Sequence, residues 1–292
     1  MSAWVCLLCE CATPTDHLYT FGARTVERCR RCGLEFLHPQ PGPAELGALY
    51  DARYFASSAS AAHGYERYEA DEPNLRKTFR RRLRRLSTRI SPSAPRRLLD
   101  VGCALGYSLA VAAESGWDAA GVEMSAWAAA EARRRFGLDV RRGSLSSVDF
   151  PPATFDLITL WDVLEHLADP REALRRCHEL LKPNGHLALT TPNTAGLLRR
   201  VTGRRWVEYK IPEHLYFFDP TTIHTLLEKS GFHPLSIRSE GKYVGVAFLL
   251  KRLAEANPLL APLRALATLP RLRRLSLYVN ATNTMLVVAR KA

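Results

Sequence analysis

From residue 97 onward, short apolar segments alternate with segments whose apolar residues recur at helical spacing. The apolar segments predict strands at 97–101, 119–123, 140–142, 155–160 and 186–190. The segments between and after them predict helices at 108–115, 126–136, 171–181 and 221–230, and two more strands at 235–238 and 283–289. Short apolar strands separated by helices are typical of a parallel sheet covered on both faces. The pattern therefore predicts a doubly wound α/β domain over residues 96–292.

The residues before this domain lack its regular alternation. Residues 1–40 are rich in cysteine, and residues 41–95 predict a helical connector or lid. Within the connector, apolar residues recur at helical spacing among many arginines, at Leu75, Phe79, Leu83, Leu86 and Ile90. We expect the arginines of this helix to face water, because charge runs usually do.

Two paired cysteine knuckles, Cys6-x-x-Cys9 and Cys29-x-x-Cys32, lie in the first 32 residues. Four thiolates at this spacing are typical of a tetrahedral zinc site. Such a closed site leaves no open position for water, so it is expected to be structural and to stabilise a segment with little core. Cys11 is a spare fifth candidate ligand. Residues 1–40 are therefore predicted to form a zinc-ribbon domain.

Composition narrows the function classes only slightly. The chain of 292 residues is 47% hydrophobic, and we expect a cytoplasmic location because it has neither a secretory signal nor a run of 18 apolar residues. The net charge of +12 would suit nucleic acid or an anionic membrane. Much of that excess lies in the arginine-rich helix, however, so the charge by itself indicates little about a partner.

A glycine-rich loop follows the first strand of the α/β domain. Asp100 precedes Gly102, Ala104 and Gly106, and an acid, Glu123, ends the next predicted strand. Glycines let the backbone approach a nucleotide-like ligand, the start of a helix offers free amides, and an acid at the second strand tip accepts hydrogen bonds from ribose hydroxyls. The Gly-x-Gly-x-x-Gly register of dinucleotide dehydrogenases is absent from this loop.

The chain resembles class I S-adenosylmethionine-dependent methyltransferases of the ubiquinone-biosynthesis O-methyltransferase type, over residues 97–239 and the last strand. The resemblance rests on the motifs Phe155-Asp-Leu-Ile158, Trp161-Asp-Val-Leu-Glu-His-Leu167, Asp169-Pro170 and Leu181-Lys-Pro-Asn-Gly-His186. It implies a Rossmann-like seven-stranded sheet and an S-adenosylmethionine site. The implied cofactor-binding residues are Asp100, Gly102, Cys103, Ala104, Gly106, Tyr107, Glu123, Met124, Ser144, Leu145, Trp161, Asp162 and His166.

Two residues depart from the family pattern. Ala104 replaces the commoner middle glycine, which is tolerated if φ stays below zero there. Ser144 stands where many relatives have an acid that binds the adenine amine, and its hydroxyl is able to accept the same hydrogen bond.

Methyl transfer to a hydroxyl or a carbon acid requires removal of a proton, for which histidine is suited. His214 and His166 are the candidate bases, and Glu213-His214 resembles the pair that sugar C-methyltransferases use around their substrate. The alternative for His214 is a hydrogen-bonded histidine that only fills space beside aromatic residues. By the same resemblance, Asp162, Glu165 and His166 are a candidate site for a divalent cation, such as magnesium or zinc.

Residues 240–280 are predicted to form a helical insertion before the last strand, with apolar runs edged by basic residues. We expect this insertion to cover the substrate. Contact with an anionic membrane or with a second copy of the chain are the alternatives, and the oligomeric state is open.

The sequence thus predicts a methyltransferase that acts on oxygen or carbon of a small molecule, such as a sugar, a natural product or a lipid-linked intermediate. An RNA methyltransferase and a non-catalytic cofactor-binding module are the alternatives. Nucleic acid is disfavoured, because Leu160-Trp-Asp-Val163 replaces the Asn/Asp-Pro-Pro-aromatic motif of base amino-group enzymes and no cysteine follows a proline.

Overall fold

The computed structural model describes residues 5–12, 14–42, 44–46, 71–87, 90 and 96–292. Most of the predicted connector at 41–95 lies outside these residues. The described part of the chain forms two sheets and the helices packed on them. None of the described helices is long and apolar enough to cross a membrane.

The N-terminal part forms a small antiparallel meander. Strands β1 (Thr15–Phe21), β2 (Arg24–Cys29) and β3 (Glu35–His38) pair in that order, and helix α1 (Glu72–Ser87) is the next described element.

The larger part alternates strands and helices as predicted. Its first half contains β4 (Arg97–Val101), α2 (Tyr107–Glu114), β5 (Asp118–Glu123), α3 (Ala126–Phe136), β6 (Asp139–Arg142), β7 (Phe155–Trp161), α4 (Pro170–Leu180) and β8 (Leu181–Pro192). Its second half contains α5 (Leu197–Thr202), β9 (Tyr216–Phe217), α6 (Pro220–Lys229), β10 (Phe232–Gly245), α7 (Val246–Ala256), α8 (Leu263–Leu266), α9 (Pro270–Arg273) and β11 (Ser276–Lys291). Single 3-10 turns lie at Leu164–His166, Gly203–Arg205 and Pro258–Leu260.

The large sheet has the strand order β10-β11-β8-β7-β4-β5-β6. Strands β4 to β8 run parallel, so the predicted doubly wound α/β fold is confirmed, whereas β10 and β11 are antiparallel to their neighbours. β4 pairs with β5 on one side and with β7 on the other, so the chain changes direction across the sheet at this strand. Ligands of such folds bind at this point, beyond the carboxyl ends of the strands.

The last two strands are longer than predicted, and the insertion is shorter. Backbone pairing continues from Lys242↔Val279 to Gly245↔Ser276, so residues 240–245 and 276–280 belong to the sheet and only residues 246–273 contain helices. Apolar runs such as Val244–Ala254 do not mark this boundary, because the same residues fit a strand or a buried helix.

The expectation that the arginines of α1 face water is wrong for several of them. Arg82 is only 4% exposed, Arg85 forms an ion pair of 2.8 Å with the buried Glu240, and the guanidinium of Arg81 lies 4.1 Å from the ring centre of Tyr278. Helix α1 packs against α2 and β10. The face that it buries therefore meets acidic and aromatic side chains, which accept arginine as a neighbour.

The two sheets are joined through β9. The short strand Tyr216–Phe217 follows β8 in the chain but pairs antiparallel with β3, which makes it the fourth strand of the N-terminal sheet. The N-terminal unit is thus completed by residues that belong to the α/β part of the sequence.

Candidate functional site

A cavity of about 1430 Å³ opens along the carboxyl ends of β4, β5, β7 and β8. Ten of the predicted site residues line it, namely Gly102, Ala104, Glu123, Met124, Ser144, Leu145, Trp161, Asp162, His166 and His214. Five others do not line it, namely Asp100, Cys103, Gly106, Tyr107 and Glu213. The predicted residues thus lie in and around one cavity, with these five outside its lining.

The glycine-rich loop turns tightly because three of its positions, Gly102, Ala104 and Gly106, have a left-handed backbone. Gly102 has a φ of 69°, and a Cβ there would lie 2.6 Å from a methyl group of Val163. Gly106, with a φ of 78°, precedes α2, which begins without a side-chain cap. The first amides of α2 are thus available to an anionic group of a ligand.

Asp100 is buried in β4, directly before the glycine-rich loop. It is 2% exposed and accepts a hydrogen bond of 2.5 Å from the hydroxyl of Thr159. Burial raises its pKa to about 7, although the hydroxyls of Thr159 and Ser108 lower it in part.

Tyr107 and Cys103 are buried beside the loop. The phenol oxygen of Tyr107 accepts a hydrogen bond of 2.9 Å from Arg135, and its ring packs against Phe136. The thiol of Cys103 lies close to Gly121, and burial raises its pKa well above the usual value. The side chains of both residues fill the space between helix and strand, so a cofactor contact of Cys103 or Tyr107 would be made by the backbone.

Glu123 ends β5 with its carboxylate at the cavity. One carboxylate oxygen accepts the Ala104 amide at 2.9 Å, and the other accepts the Ser125 amide at 2.8 Å. Burial raises the pKa of Glu123, and these backbone donors lower it in part. Each oxygen keeps a lone pair, so this fixed carboxylate has the capacity to accept hydrogen bonds from two hydroxyls of a ligand.

The opposite wall consists of Trp161 and Asp162, at the end of β7. The indole nitrogen of Trp161 donates to Ser108 at 2.8 Å, and the guanidinium of Arg82 lies 5.1 Å from the ring. Sequence reasoning missed Arg82 as a cavity residue. Its position three residues after Phe79 and four before Leu86 puts it on the apolar face of α1, and this spacing was the available signal.

Ser144 lies at the far end of the cavity, in a turn of hydroxyl groups. Its Oγ lies 3.0 Å from Oγ of Ser146 and accepts the amide of Ser147 at 3.2 Å. A hydroxyl has two lone pairs and one proton, so these contacts hold the residue in place at the cavity edge.

His166 and His214 meet at the floor of the cavity. Their ring centres are 4.5 Å apart and nearly perpendicular. Nδ1 of His166 lies 3.1 Å from the carbonyl oxygen of Glu213, which is able only to accept, so this nitrogen carries the proton. In the neutral ring, Nε2 is then the basic nitrogen.

Glu165 lies beside the two imidazoles and is fully buried. Among the described residues, neither of its carboxylate oxygens has a hydrogen-bond partner of good geometry. Burial, followed by the charge of Asp162, raises its pKa well above the usual value, while Thr191 and Lys210 lower it in part.

The predicted cation site of Asp162, Glu165 and His166 is not the group that the structure assembles. The ligand atoms that lie within 4.8 Å of one another belong to Glu165, His166 and His214. His214 takes this place because the amide of Leu215 donates to the carbonyl of Glu165 at 2.8 Å, which brings a distant segment against the 3-10 turn.

The four knuckle cysteines come together in the N-terminal unit. The sulfur atoms of Cys6, Cys9, Cys29 and Cys32 lie within 4.8 Å of one another, whereas Cys11 lies apart from them and accepts a hydrogen bond from Arg31. The Cys32 thiol lowers the pKa of Cys6 to about 5. The chemistry and grouping of these side chains fit a tetrahedral metal ion.

The cysteine unit is connected to the histidines through backbone hydrogen bonds. The amide of Leu37 in β3 donates to the carbonyl of Leu215 at 2.9 Å, and Leu215 donates in turn to Glu165. A buried ion pair between Glu35 and Arg199, 2.8 Å long, adds a second link between β3 and the α/β part. The position of His214 therefore depends on the N-terminal sheet.

The sequence of the chain is similar to those of known methyltransferases. A sequence model of the family described as "Methyltransferase domain" matches residues 73–237. Over 193 residues, the chain is 28% identical to a ubiquinone biosynthesis O-methyltransferase from Thiobacillus denitrificans, a match that covers 62% of this chain and 83% of that enzyme. A second such enzyme, from Cereibacter sphaeroides, is 29% identical over 150 residues, which cover 48% of this chain and only 61% of that enzyme's length.

Solved structures share the fold at low identity. A methyltransferase from Thermotoga maritima superposes with a TM-score of 0.53 at 17% identity, covering 80% of this chain and 98% of its own. A second methyltransferase, from Archaeoglobus fulgidus, gives a TM-score of 0.50 at 22% identity, covering 76% and 97%.

The condition set for Ala104 is not met. Its φ is 49°, in the left-handed region, because the loop must turn there to bring the Ala104 amide to Glu123. An L side chain costs roughly 1–2 kcal/mol in this conformation.

We expect Ala104→Gly to stabilise the protein by about 0.5 kcal/mol, because removing the strain outweighs the extra backbone entropy of glycine in the unfolded chain. Ala130→Gly is the matched control, since Ala130 is exposed in the interior of α3, and it should lose about 1 kcal/mol. Urea unfolding of the two variants measures the difference. An equal loss in both would contradict strain at Ala104.

Proposed function

The chain belongs to the class I S-adenosylmethionine-dependent methyltransferases, and we propose that it transfers the methyl group to an oxygen or carbon atom of a small molecule. The observation that carries this proposal is the pair His166 and His214, which shares one cavity with the glycine-rich loop and Glu123. A sugar, a natural product or a lipid-linked intermediate is the proposed class of acceptor. The contacts of Arg82 and Arg85 within the chain weigh against an RNA substrate held by the basic helix.

The proposed cofactor position follows the cavity wall. The amino-acid end would lie at residues 100–106, against the uncapped start of α2, and the ribose hydroxyls on Glu123. The adenine would lie between Met124 and Leu145, with Ser144 at its edge. When bound, S-adenosylmethionine supplies a methyl group on a sulfonium, which Trp161 and Asp162 would flank.

The proposed catalytic role of His214 is to accept the proton that the acceptor loses. His214 lines the cavity and contacts His166, whose orientation is held by its Nδ1–H bond to the Glu213 carbonyl. Glu213 would act through this backbone carbonyl, because its side chain does not line the cavity. Burial around these groups excludes water and keeps the acceptor aligned with the methyl group.

We further propose that Cys6, Cys9, Cys29 and Cys32 hold a structural zinc ion. Four sulfurs in one group leave no position for a substrate, so the ion would serve folding rather than chemistry. By keeping β3 in place, it would also keep Leu215 and His214 in position.

Glu123→Ala should raise the Kd for S-adenosylmethionine by about 10- to 100-fold, because the charge-assisted hydrogen bonds to the ribose are lost. Glu114→Ala is the control, since Glu114 is an exposed acid on α2 outside the cavity. Isothermal titration calorimetry measures both values, and thermal melting checks that each variant is folded. A wild-type chain that binds no cofactor would refute the proposed function.

His214→Gln should lower kcat by about 100-fold or more while the Kd for S-adenosylmethionine changes less than about twofold, because the base acts on the acceptor. The acceptor is first found by incubating metabolite extracts with methyl-labelled cofactor. His224→Gln, at an exposed position on α6, is the matched control and should keep full activity. If His214→Gln turns over at the wild-type rate, His214 is not the base.

Cys9→Ser should lose zinc, melt at a lower temperature and lower kcat, while cofactor affinity is nearly kept because the glycine-rich loop belongs to the other sheet. Cys11→Ser should keep its zinc, since Cys11 lies outside the group. Metal analysis of fresh protein is expected to give one zinc per chain. Less than one zinc ion per chain would contradict the four-cysteine site. A second metal ion that is lost in His214→Gln would assign a cation to Glu165, His166 and His214.

A further inference from the structure

Residues 246–275, which we term the cap segment, expose an unusual number of leucines. The cap segment contains α7, α8 and α9, and Leu259 within it is 87% exposed. The other large apolar residues that it exposes are Leu253, Leu260, Leu266, Leu269 and Leu275. Single exposed leucines are common, but a cluster of this size marks a surface that another molecule or a membrane covers.

The charge of the cap segment is strongly one-sided. It contains one acid, Glu255, and six basic residues, namely Lys251, Arg252, Arg264, Arg271, Arg273 and Arg274. The partner that covers this surface is therefore expected to be both apolar and negatively charged.

The cap segment also borders the cavity. Phe248, Leu249 and Arg273 are among the residues that line it, so the cap segment forms part of the cavity wall, as expected for an insertion that covers the substrate. The exposed leucines are not among the lining residues, which leaves them on the outside.

A second exposed apolar surface lies on and just after α5. Val201 is 77% exposed, and Leu197 and Val207 are exposed as well. The amide of Leu197 donates to the hydroxyl of Thr282 in β11 at 3.1 Å, which holds α5 beside the strand that follows the cap segment. Val207 lines the cavity, as do Phe248 and Leu249 of the cap segment, so the segments that expose these two apolar surfaces both border it.

We infer that the cap segment and α5 dock the protein onto an anionic lipid bilayer, with the opening of the cavity towards the membrane. Leucines on short helices enter the boundary of the acyl chains, and the surrounding arginines contact anionic headgroups. A second copy of the chain fits less well, because two cap segments would oppose like charges. Nucleic acid would satisfy the arginines but would leave the leucines in water.

Docking on a membrane narrows the chemical class of the methyl acceptor. This part of the inference rests on the proposed function. A cavity that opens onto a bilayer takes a molecule whose apolar part stays in the membrane while its reacting hydroxyl or carbon reaches His214. The acceptor is then an amphiphile with a long apolar tail.

Vesicle sedimentation of the full chain, without S-adenosylmethionine, tests the docking. Vesicles of phosphatidylcholine with about 30% phosphatidylglycerol should bind the protein at least tenfold more tightly than pure phosphatidylcholine, and added salt should weaken the binding. Two triple variants, Leu259→Ser/Leu266→Ser/Leu269→Ser and Arg264→Glu/Arg271→Glu/Arg274→Glu, should each reduce binding at least tenfold.

The control is Arg84→Glu/Arg134→Glu/Arg290→Glu, which makes the same change in net charge at exposed positions outside the cap segment and α5. It should keep binding within about threefold, and thermal melting confirms that every variant is folded. Equal binding by all variants, or no binding by the wild type, would overturn the inference. The inference would also be overturned if the wild type were a dimer and the leucine variant a monomer, since a second copy of the chain would then cover the surface.

Because this binding needs neither cofactor nor turnover, its failure is separate from a failure of the proposed function. Labelled methyl transfer into the lipid fraction of a cell extract should accompany docking. Methyl transfer confined to the water-soluble fraction would overturn the assigned acceptor class.

Discussion

The position of the two cavity histidines, His166 and His214, depends on a short series of backbone hydrogen bonds. Leu37 donates to Leu215, and Leu215 donates to Glu165, so three segments that are far apart in sequence are held side by side. Together with the hydrogen bond of His166 to the Glu213 carbonyl, this link places His214 beside His166. The N-terminal sheet is thus linked to the two histidines through β9, although it contributes no residue to the groups around the glycine-rich loop.

The second constraint is the burial of carboxyl groups at the carboxyl edge of the large sheet. Burial raises the pKa of Asp100, Glu123 and Glu165, and each is accommodated differently. Asp100 has a hydroxyl partner and Glu123 has two backbone amides. Among the described residues, the carboxylate oxygens of Glu165 have no hydrogen-bond partner of good geometry, so burial disfavours the charged form of this group.

The cavity walls come from segments with separate structural roles. Helix α1 buries Arg82 against Trp161, and the cap segment extends from a pair of strands that continue the sheet. The loop, Glu123 and nearly all of α1 lie within residues 73–237, which the family model matches, whereas the cap segment lies outside that range and adds a separate part of the cavity wall. Specificity is therefore expected to depend on the segments that the motifs do not describe.

Much of the fold was predictable from sequence, because local patterns reflect local physics. The alternation after residue 97 indicated all five parallel strands, with the bounds of β4 and α3 to the residue and the start of β8 five residues too late, and the glycine spacing indicated the loop. The spacing of the paired cysteines predicted that their four sulfur atoms come together, because two residues between ligands set the geometry of a knuckle.

Tertiary structure decided what depends on contacts between distant segments. The pairing of β9 with β3 and the approach of His214 to Glu165 arise from hydrogen bonds between residues more than 150 and about 50 positions apart, which no local pattern encodes. Two further features were not visible in the local sequence. The left-handed backbone of Ala104 arises from its hydrogen bond to Glu123. The burial of Arg82 is favourable because its guanidinium lies against Trp161. Sequence determined which elements form, and packing determined which side chains meet, because the free energy of a buried polar contact depends on its partners.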